Sequence, residues 1–481
     1  MALLTKSKYI QAFQCKKLFW LSLNDPKKIS IDDSKQAIFN QGNDVGFNAQ
    51  SLFPDGQLIE NEISFMDKLN QTQRLIDLKS TIFEASFLFN KCYCQVDILF
   101  YKEGLWHMVE VKSSASLKPV HLHDVAFQYY VLSQSGLSLG SAYVYHIDTS
   151  YFREDDLDLD SLFKIHDITD SVIDLQANTR RNVMEYLSLL NAKDSNIPIG
   201  PQCFQPYECS AIHHCWQDVP EDSIFDLVGM PINEKFEFFY NNESRIDSIN
   251  PDQVKQLNQK RQIACHHDQV DFLNIKKVSQ FINQVHYPIG FLDFECVQYA
   301  IPPYAHMKPY EQLPVQFSLH IDSHLDLKHC SFIAPHGTDP RLLFIQELQS
   351  KLPTSGSILV YNINFESAVL LKIKALFPEY GQFIDQLISR FIDLEIPFKN
   401  QFIYLRDMKG KTSIKNVLPA LFPGLNYKQI AISSGRHFGL IYEQLADKSQ
   451  QDKAYLKLHE YGELDTYAMH LIFKKLVTLI T

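Results

Sequence analysis

The hydrophobic pattern of the chain changes period several times. Residues 81–113 hold three β-rich runs, TIFEASFLF, CYCQVDILFY and LWHMVEVKS, separated by Asn90-Lys91 and by Lys102-Glu103-Gly104. Short alternating runs joined by such turn residues predict an antiparallel meander. PVHLHDVAFQYYVLSQSG (119–136) then takes helical spacing and closes on Gly136, and SAYVYHID (141–148) returns to a strand. From about Asp218 to Tyr287 strand-like runs give way to Asn, Gln and Lys, which predicts a helical connector with a helix near 251–264. A second α/β pattern follows. IGFLDFECV, VQFSLHID and LKHCSFIA read as strands, DPRLLFIQELQSKL as a helix opened by Asp339-Pro340, SILVYN as a short buried strand, and FESAVLLKIKALF as a helix. The chain closes on a helix over 462–478. Strands first and then alternating β and α predict a mixed sheet flanked by helices. The expected division is a domain over 1–217, a connector over 218–286 and a second α/β domain over 287–481.

Composition narrows the function classes. At 481 residues the chain exceeds one ordinary core. No stretch reaches the roughly 18 apolar residues of a membrane span, and the first residues lack the layout of a signal peptide; a soluble cytoplasmic protein with no membrane partner is expected. The net charge of −11 argues against nonspecific coating of nucleic acid, though not against a nuclease with local basic grooves. Nine cysteines are an odd count, and no disulfide framework is expected.

Three constellations carry chemistry. In the first, Asp97 lies in the second meander strand, while Glu110 and Lys112 share a face of the third by the i, i+2 rule. Acids on neighbouring strands with a lysine beside them suit Mg²⁺ or Mn²⁺, the lysine orienting an attacking water. Gln128 and Tyr129 are expected over this site on the next helix. An exposed Glu–Lys pair on a strand edge is the plainer alternative. The string VDILF, VEVKSS, FQYY resembles the RecB-like nucleases of the PD-(D/E)xK superfamily. That resemblance implies Asp97, Glu110 and Lys112 as catalytic residues, Gln128 as a supporting one, and Glu84 as an extra metal ligand. The comparable upstream stretch GNDVGFNA (42–49) has no metal-binding His.

The second constellation is CFQPYECSAIHHC with YIQAFQCKK: Cys203, Cys209 and Cys215 at five-residue gaps, and Cys15 as the fourth thiol. Structural zinc sites use tighter knuckles, so spacing alone favours zinc only weakly; ordinary buried cysteines are the other alternative. The pattern resembles the iron–sulfur branch of the RecB-like nucleases, including CRISPR-associated exonucleases. It implies a [4Fe–4S] cluster on Cys15, Cys203, Cys209 and Cys215 that staples the two ends of the first domain.

The third begins with GFLDFECV, where Asp293 and Glu295 fall on one face of an otherwise apolar strand. Two like charges there raise each other's cost of ionisation, and a divalent cation resolves it. YNINFESAVL offers Asn362 and Glu366; YGELDTYAM offers Tyr461 and Asp465, one helical turn apart. Two metals roughly 3.5–4 Å apart would activate water and stabilise a leaving oxygen, with Tyr461 positioning the water. Together these segments resemble the DEDD superfamily of 3′–5′ exonucleases on the ribonuclease H-like fold, with Glu366 where that family has Asp. Asp393 and Lys415 are further candidates, the latter for a phosphate.

The reading is a metal-dependent nuclease with two active sites: a restriction-endonuclease-like domain, a helical connector and a ribonuclease H-like domain. A nucleic-acid-binding scaffold with one or both sites inactive is the alternative. There is no G-x4-G-K-[ST] loop, so a helicase partner or a single-stranded DNA or RNA substrate is expected, the many aromatic residues serving base stacking.

Overall fold

The computed structural model describes residues 2–30, 34–192, 195–425, 432 and 435–480, with the side chains of 34–40 and 436 outside the description. The chain is α/β and divides into two compact units. The first comprises Met1–Asp218 and Tyr299–Glu311, the second Val219–Gln298 and Gln312–Thr481. Among the described residues, no helix is long and apolar enough to cross a membrane.

The first unit is built on a seven-stranded sheet: β1 (Leu4–Thr5), β2 (Gln57–Leu58), β3 (Ile82–Phe89), β4 (Cys92–Lys102), β5 (Leu105–Lys112), β6 (Leu139–Ile147) and β7 (Phe163–Asp167). The order is β2-β3-β4-β5-β6-β7, and β1 pairs with the start of β4. β3, β4 and β5 form the expected antiparallel meander. β5 then pairs parallel with β6, a geometry that needs a crossover, and the helix Pro119–Gln134 supplies it. That helix stops where Gly136 takes φ +92°, a left-handed ending that glycine adopts without a Cβ penalty. Its Val125, Phe127, Val131 and Leu132 pack with Val96 and Met108 of the sheet in the unit's main core.

The segment 299–311 is a late addition to this unit. Ala300, with Ile301 and Tyr310, packs in a smaller core with Tyr145, Ile147 and Leu162. Arg153 donates to the carbonyls of Pro302 and Pro303 at 2.9 Å, and the Tyr310 hydroxyl donates to the Ser113 carbonyl just beyond β5.

The second unit carries a two-stranded sheet, β8 (Phe272–Leu273) with β14 (Ile403–Tyr404), and a five-stranded one. The larger sheet contains β9 (Ile289–Val297), β10 (Leu313–Asp322), β11 (Leu327–Ile333), β12 (Ile358–Val360) and β13 (Phe391–Asp393), ordered β11-β10-β9-β12-β13. β9, β10 and β11 are antiparallel, whereas β12 lies parallel to both β9 and β13. The alternation along β9 explains its two faces. Ile289 and Phe291 join Ala468, Ile472 and Leu476 of the final helix, while Leu292 and Phe294 join Phe317, Phe344 and Val360 on the other side. Asp293 and Glu295 continue the face of Ile289 and Phe291, the one that meets the final helix.

Two expectations need correction. The stretch 218–286 is not a separate connector, because its apolar side chains are used within the second unit. Ile224, Leu227, Ile246, Ile249 and Ile263 form a small core, and Val278 and Phe281 enter the same cluster as Phe291 and Ile403. The final helix runs from Gln451 to Thr478 rather than from 462, since Ala454 and Leu458 are buried and extend its inward face.

Candidate carboxylate sites and a cysteine cluster

In the first unit Asp97 and Glu110 sit on adjacent strands. Glu110, 1% exposed, is the hub. Its Oε1 accepts from Lys112 at 2.5 Å and from Lys6 at 2.8 Å, and its Oε2 accepts from Gln128 at 2.7 Å. Lys112 also donates to Asp124 at 2.6 Å. Asp97 accepts from the Val111 amide at 2.6 Å, so it is held against the backbone between Glu110 and Lys112. Burial pushes Glu110 upward, but Lys112 and Lys6 overcome it and leave the carboxyl well below its ordinary value. For Asp97 burial dominates, Glu110 adds to it, and the group rises to about 7.

Gln128 is therefore where the sequence pattern puts it, over the site, while Tyr129 packs against the core. Glu84 takes φ +57° and drops out of the ladder between the pairs Phe83–Ile98 and Ala85–Val96. Glu84, Asp97 and Glu110 are not among the groups of three whose ligand atoms lie within 4.8 Å of one another. Lys6 and Asp124 were not anticipated. Asp124 had a signal, since it precedes Gln128 by one turn and shares its face; Lys6, 104 residues from Glu110, had none.

Four of the cysteines converge from the two ends of the stretch 1–218. Cys15, Cys209 and Cys215 pack with Leu18, Leu21 and Ala211, and the buried Cys203 is near enough to act electrostatically on Cys209 and Cys215. The Gln14 side chain bridges to the carbonyls of Gln202 and Tyr207, at 3.0 and 2.6 Å. All nine cysteines are free. Burial pushes the Cys209 thiol up to about 11, with Cys15, Cys203 and Cys215 adding to the rise. No three of these sulfurs fall in a group within 4.8 Å. A single tetrahedral zinc, with Zn–S of about 2.3 Å, would bring them to about 3.8 Å.

In the second unit Asp293, Glu295 and Asp465 each place one carboxylate oxygen within 4.8 Å of the others. Gly462 lies on the same helix as Asp465, beside β10. A Cβ there would lie 2.4 Å from Gln316 Nε2 and 3.2 Å from Ser318 Cβ, so a larger residue would have to displace the Gln316 amide from the Leu458 carbonyl, which it reaches at 2.9 Å. Tyr461 is buried on the helix, and its hydroxyl accepts from Lys415 at 3.2 Å. Burial raises Asp293 and Glu295 well above the usual carboxylate range. Asp465 adds to both, Asp293 to Glu295, and Lys415 offsets part of the rise. Glu366 lies outside the three-acid group yet interacts with Asp293; burial pushes it to about 9, and its Oε2 is buried without a hydrogen-bond partner.

Asp393 does something else. It accepts from the amides of Asn362, Ile363 and Glu395, at 3.3, 3.4 and 2.9 Å. Asn362 itself has φ +91° and leads into the helix Ile363–Leu376, so Asp393 holds the start of the helix that carries Glu366.

A family model described as a domain of unknown function (DUF2779) matches residues 290–413, a span that includes Asp293, Glu295 and Glu366 but not Tyr461 or Asp465. No curated protein matches the chain.

Proposed function

We propose that the chain is a metal-dependent nuclease whose main active site is the carboxylate cluster of the second unit, on a ribonuclease H-like arrangement of the DEDD type. The observation that carries this reading is the convergence of Asp293, Glu295 and Asp465 from two distant segments onto one partly buried spot, with the partnerless oxygen of Glu366 beside them. Asp293, Glu295 and Glu366, held above their ordinary range by burial and neighbouring acids, fit a divalent cation, because its charge removes the cause of the shift. Asp293, Glu295, Asp465 and Glu366 would hold Mg²⁺ or Mn²⁺, oxygen being the ligand these hard cations prefer. Bound there, such ions activate water and stabilise charge on a leaving phosphodiester oxygen. Tyr461, pinned by Lys415, orients the attacking water, and the Lys415 ammonium attracts a phosphate to the mouth of the site.

The first unit is assigned as a RecB-like PD-(D/E)xK site built on Asp97, Glu110, Lys112 and Gln128, with a [4Fe–4S] cluster on Cys15, Cys203, Cys209 and Cys215. Support for the cluster is that four thiols from both ends of the unit's main stretch meet in one place. One observation favours a second reading for this unit alone. Glu110 already has two ammonium partners, so the charge a metal would neutralise there is met by the chain itself, which fits a nucleic-acid-binding scaffold that does not cut.

The test is a cleavage assay on labelled single- and double-stranded DNA and RNA with Mg²⁺ or Mn²⁺, on wild type, Asp97→Ala and Asp293→Ala. Loss with Asp293→Ala alone supports the second-unit site and the scaffold reading of the first. Loss with either supports two active sites, and full activity in both variants overturns the assignment. Anaerobic purification separates iron–sulfur absorption from colourless zinc.

A further inference from the structure

A second set of ligand-type side chains lies elsewhere in the second unit. Among the described residues, two groups of three place their ligand atoms within 4.8 Å of one another: the three carboxylates described above, and His329, His459 and Glu463. His329 comes from β11, at the edge of the sheet, and His459 and Glu463 lie one turn apart on the final helix. Glu463 is two residues from both Tyr461 and Asp465, and residues two apart on a helix point to nearly opposite sides. The two clusters are therefore distinct.

The two oxygens of Glu463 face different rings. Oε1 is 3.8 Å from His329 Nδ1 and Oε2 is 3.7 Å from His459 Nδ1. Both gaps exceed a hydrogen bond. Both are close to the edge of about 3.4 Å in a tetrahedron whose metal–ligand bonds are about 2.1 Å.

His329 is also held from behind. Its Nε2 is 2.9 Å from Ser318 Oγ, which lies 2.9 Å from Thr466 Oγ1, and that hydroxyl is 2.8 Å from His320 Nδ1. Ser318, Thr466 and His320 are all buried. Metal-binding imidazoles are commonly oriented in this manner, the far nitrogen engaged by a polar partner and the near one turned to the ion.

We propose that His329, His459 and Glu463 form a further metal site, taking a divalent transition ion of the zinc class through two imidazoles and one carboxylate. Imidazole ligands select such ions over Mg²⁺ and Ca²⁺. His459 and Glu463 are partly exposed, with side chains 36% and 47% accessible, and three protein ligands leave a fourth position to water. An ion here ties the edge strand β11 to the final helix. It thereby steadies the helix that carries Tyr461 and Asp465, without contributing to their chemistry.

The experiment uses the full chain, dialysed against zinc in a large excess of Mg²⁺ so that oxygen-only sites are filled by Mg²⁺. Zinc per chain and the thermal unfolding midpoint are read for wild type, His459→Ala, Glu463→Gln and Asp293→Asn. Wild type and Asp293→Asn should hold one more zinc than His459→Ala and Glu463→Gln, and zinc should raise the midpoint only in the first pair. Zinc at the cysteines cancels in this difference. Equal zinc content and equal midpoints in wild type, His459→Ala and Glu463→Gln overturn the proposal, as does loss of the extra zinc in Asp293→Asn alone. Far-UV circular dichroism without zinc checks that the variants fold; should His459→Ala not fold, Glu463→Gln decides on its own.

Discussion

Glu110 of the first unit and Glu366 of the second are equally hidden, each 1% exposed, yet their protonation is driven in opposite directions. Around Glu110 two ammonium groups and an amide meet the carboxylate, and it stays ionised far below its ordinary range. Around Glu366 the neighbours are other acids, Asp293 first, and the group holds its proton up to about 9. Burial is common to both; counter-charge is not. The first site carries its own cations on the chain, whereas the second is an assembly of acids whose repulsion an external cation would relieve.

The largest effect should come from removing that acid assembly. Asp293→Asn and Asp465→Asn are each expected to lower metal-dependent cleavage by more than the roughly 10–100-fold that loss of an outer-shell partner costs. Single-turnover rates in saturating Mn²⁺ measure it, and a variant as fast as wild type would break the comparison at once. Gly462→Ala comes next. The added methyl displaces the Gln316 amide from the Leu458 carbonyl and crowds Ser318 Cβ, loosening the final helix against β10 at a cost of about 1–3 kcal/mol. Urea unfolding would report the loss, and cleavage should fall with it because Tyr461 and Asp465 ride on that helix.

In the first unit, Lys6→Ala leaves Glu110 with one ammonium and a weakened hydrogen-bond set. A cost of about 1–3 kcal/mol is expected, less if the partly exposed Lys6 is well screened by water. Unchanged unfolding would show that Lys6 adds nothing to the electrostatics of Glu110.

The smallest effect is a slope, and its sign differs between the sites. Glu366 has a raised pKa, so without metal it favours the folded state most below its ordinary value of 4.5, and that contribution is lost as pH rises towards about 9. In EDTA the unfolding midpoint should fall across this window, Glu366→Gln should flatten the fall, and Mg²⁺ or Mn²⁺ should oppose it. Glu110, with a depressed pKa, works the other way. Its contribution is present above its ordinary value of 4.5 and disappears only in stronger acid. Thermal scans of wild type, Glu366→Gln and Glu110→Gln over pH would resolve the opposing slopes.

Much of this contrast was readable along the chain, because it depends on local period. The alternation in IGFLDFECV sets the limits of β9 and puts Asp293 and Glu295 on one face, and the i, i+4 spacing pairs Tyr461 with Asp465. VDILF and VEVKS likewise give the strands that hold Asp97, Glu110 and Lys112. What local period cannot carry is partnership across long separations. Lys6 reaches Glu110 through the pairing of β1 with β4, and Gly462 matters only because Gln316 happens to face it. Asp393 looked like one more acid, and its use on three backbone amides depends on how β13 meets the helix after β12. The polar composition of 218–286 suggested a linker because its few apolar side chains are spread thinly, although they pack into cores once folded.

The segment Tyr299–Glu311 has a consequence for biosynthesis. A ribosome delivers the chain from its N-terminus, and domains generally fold as they emerge. The sheet of the first unit is complete in sequence at Asp167, but the piece that bonds to Ser113 and Arg153 is translated only after β9, the opening strand of the other sheet. The first unit is therefore synthesised one segment short of its full set of contacts until the second has begun to appear. For the same reason no single cut in the chain separates the two, since a fragment ending at Asp218 would hold the first unit without the Tyr310–Ser113 bond.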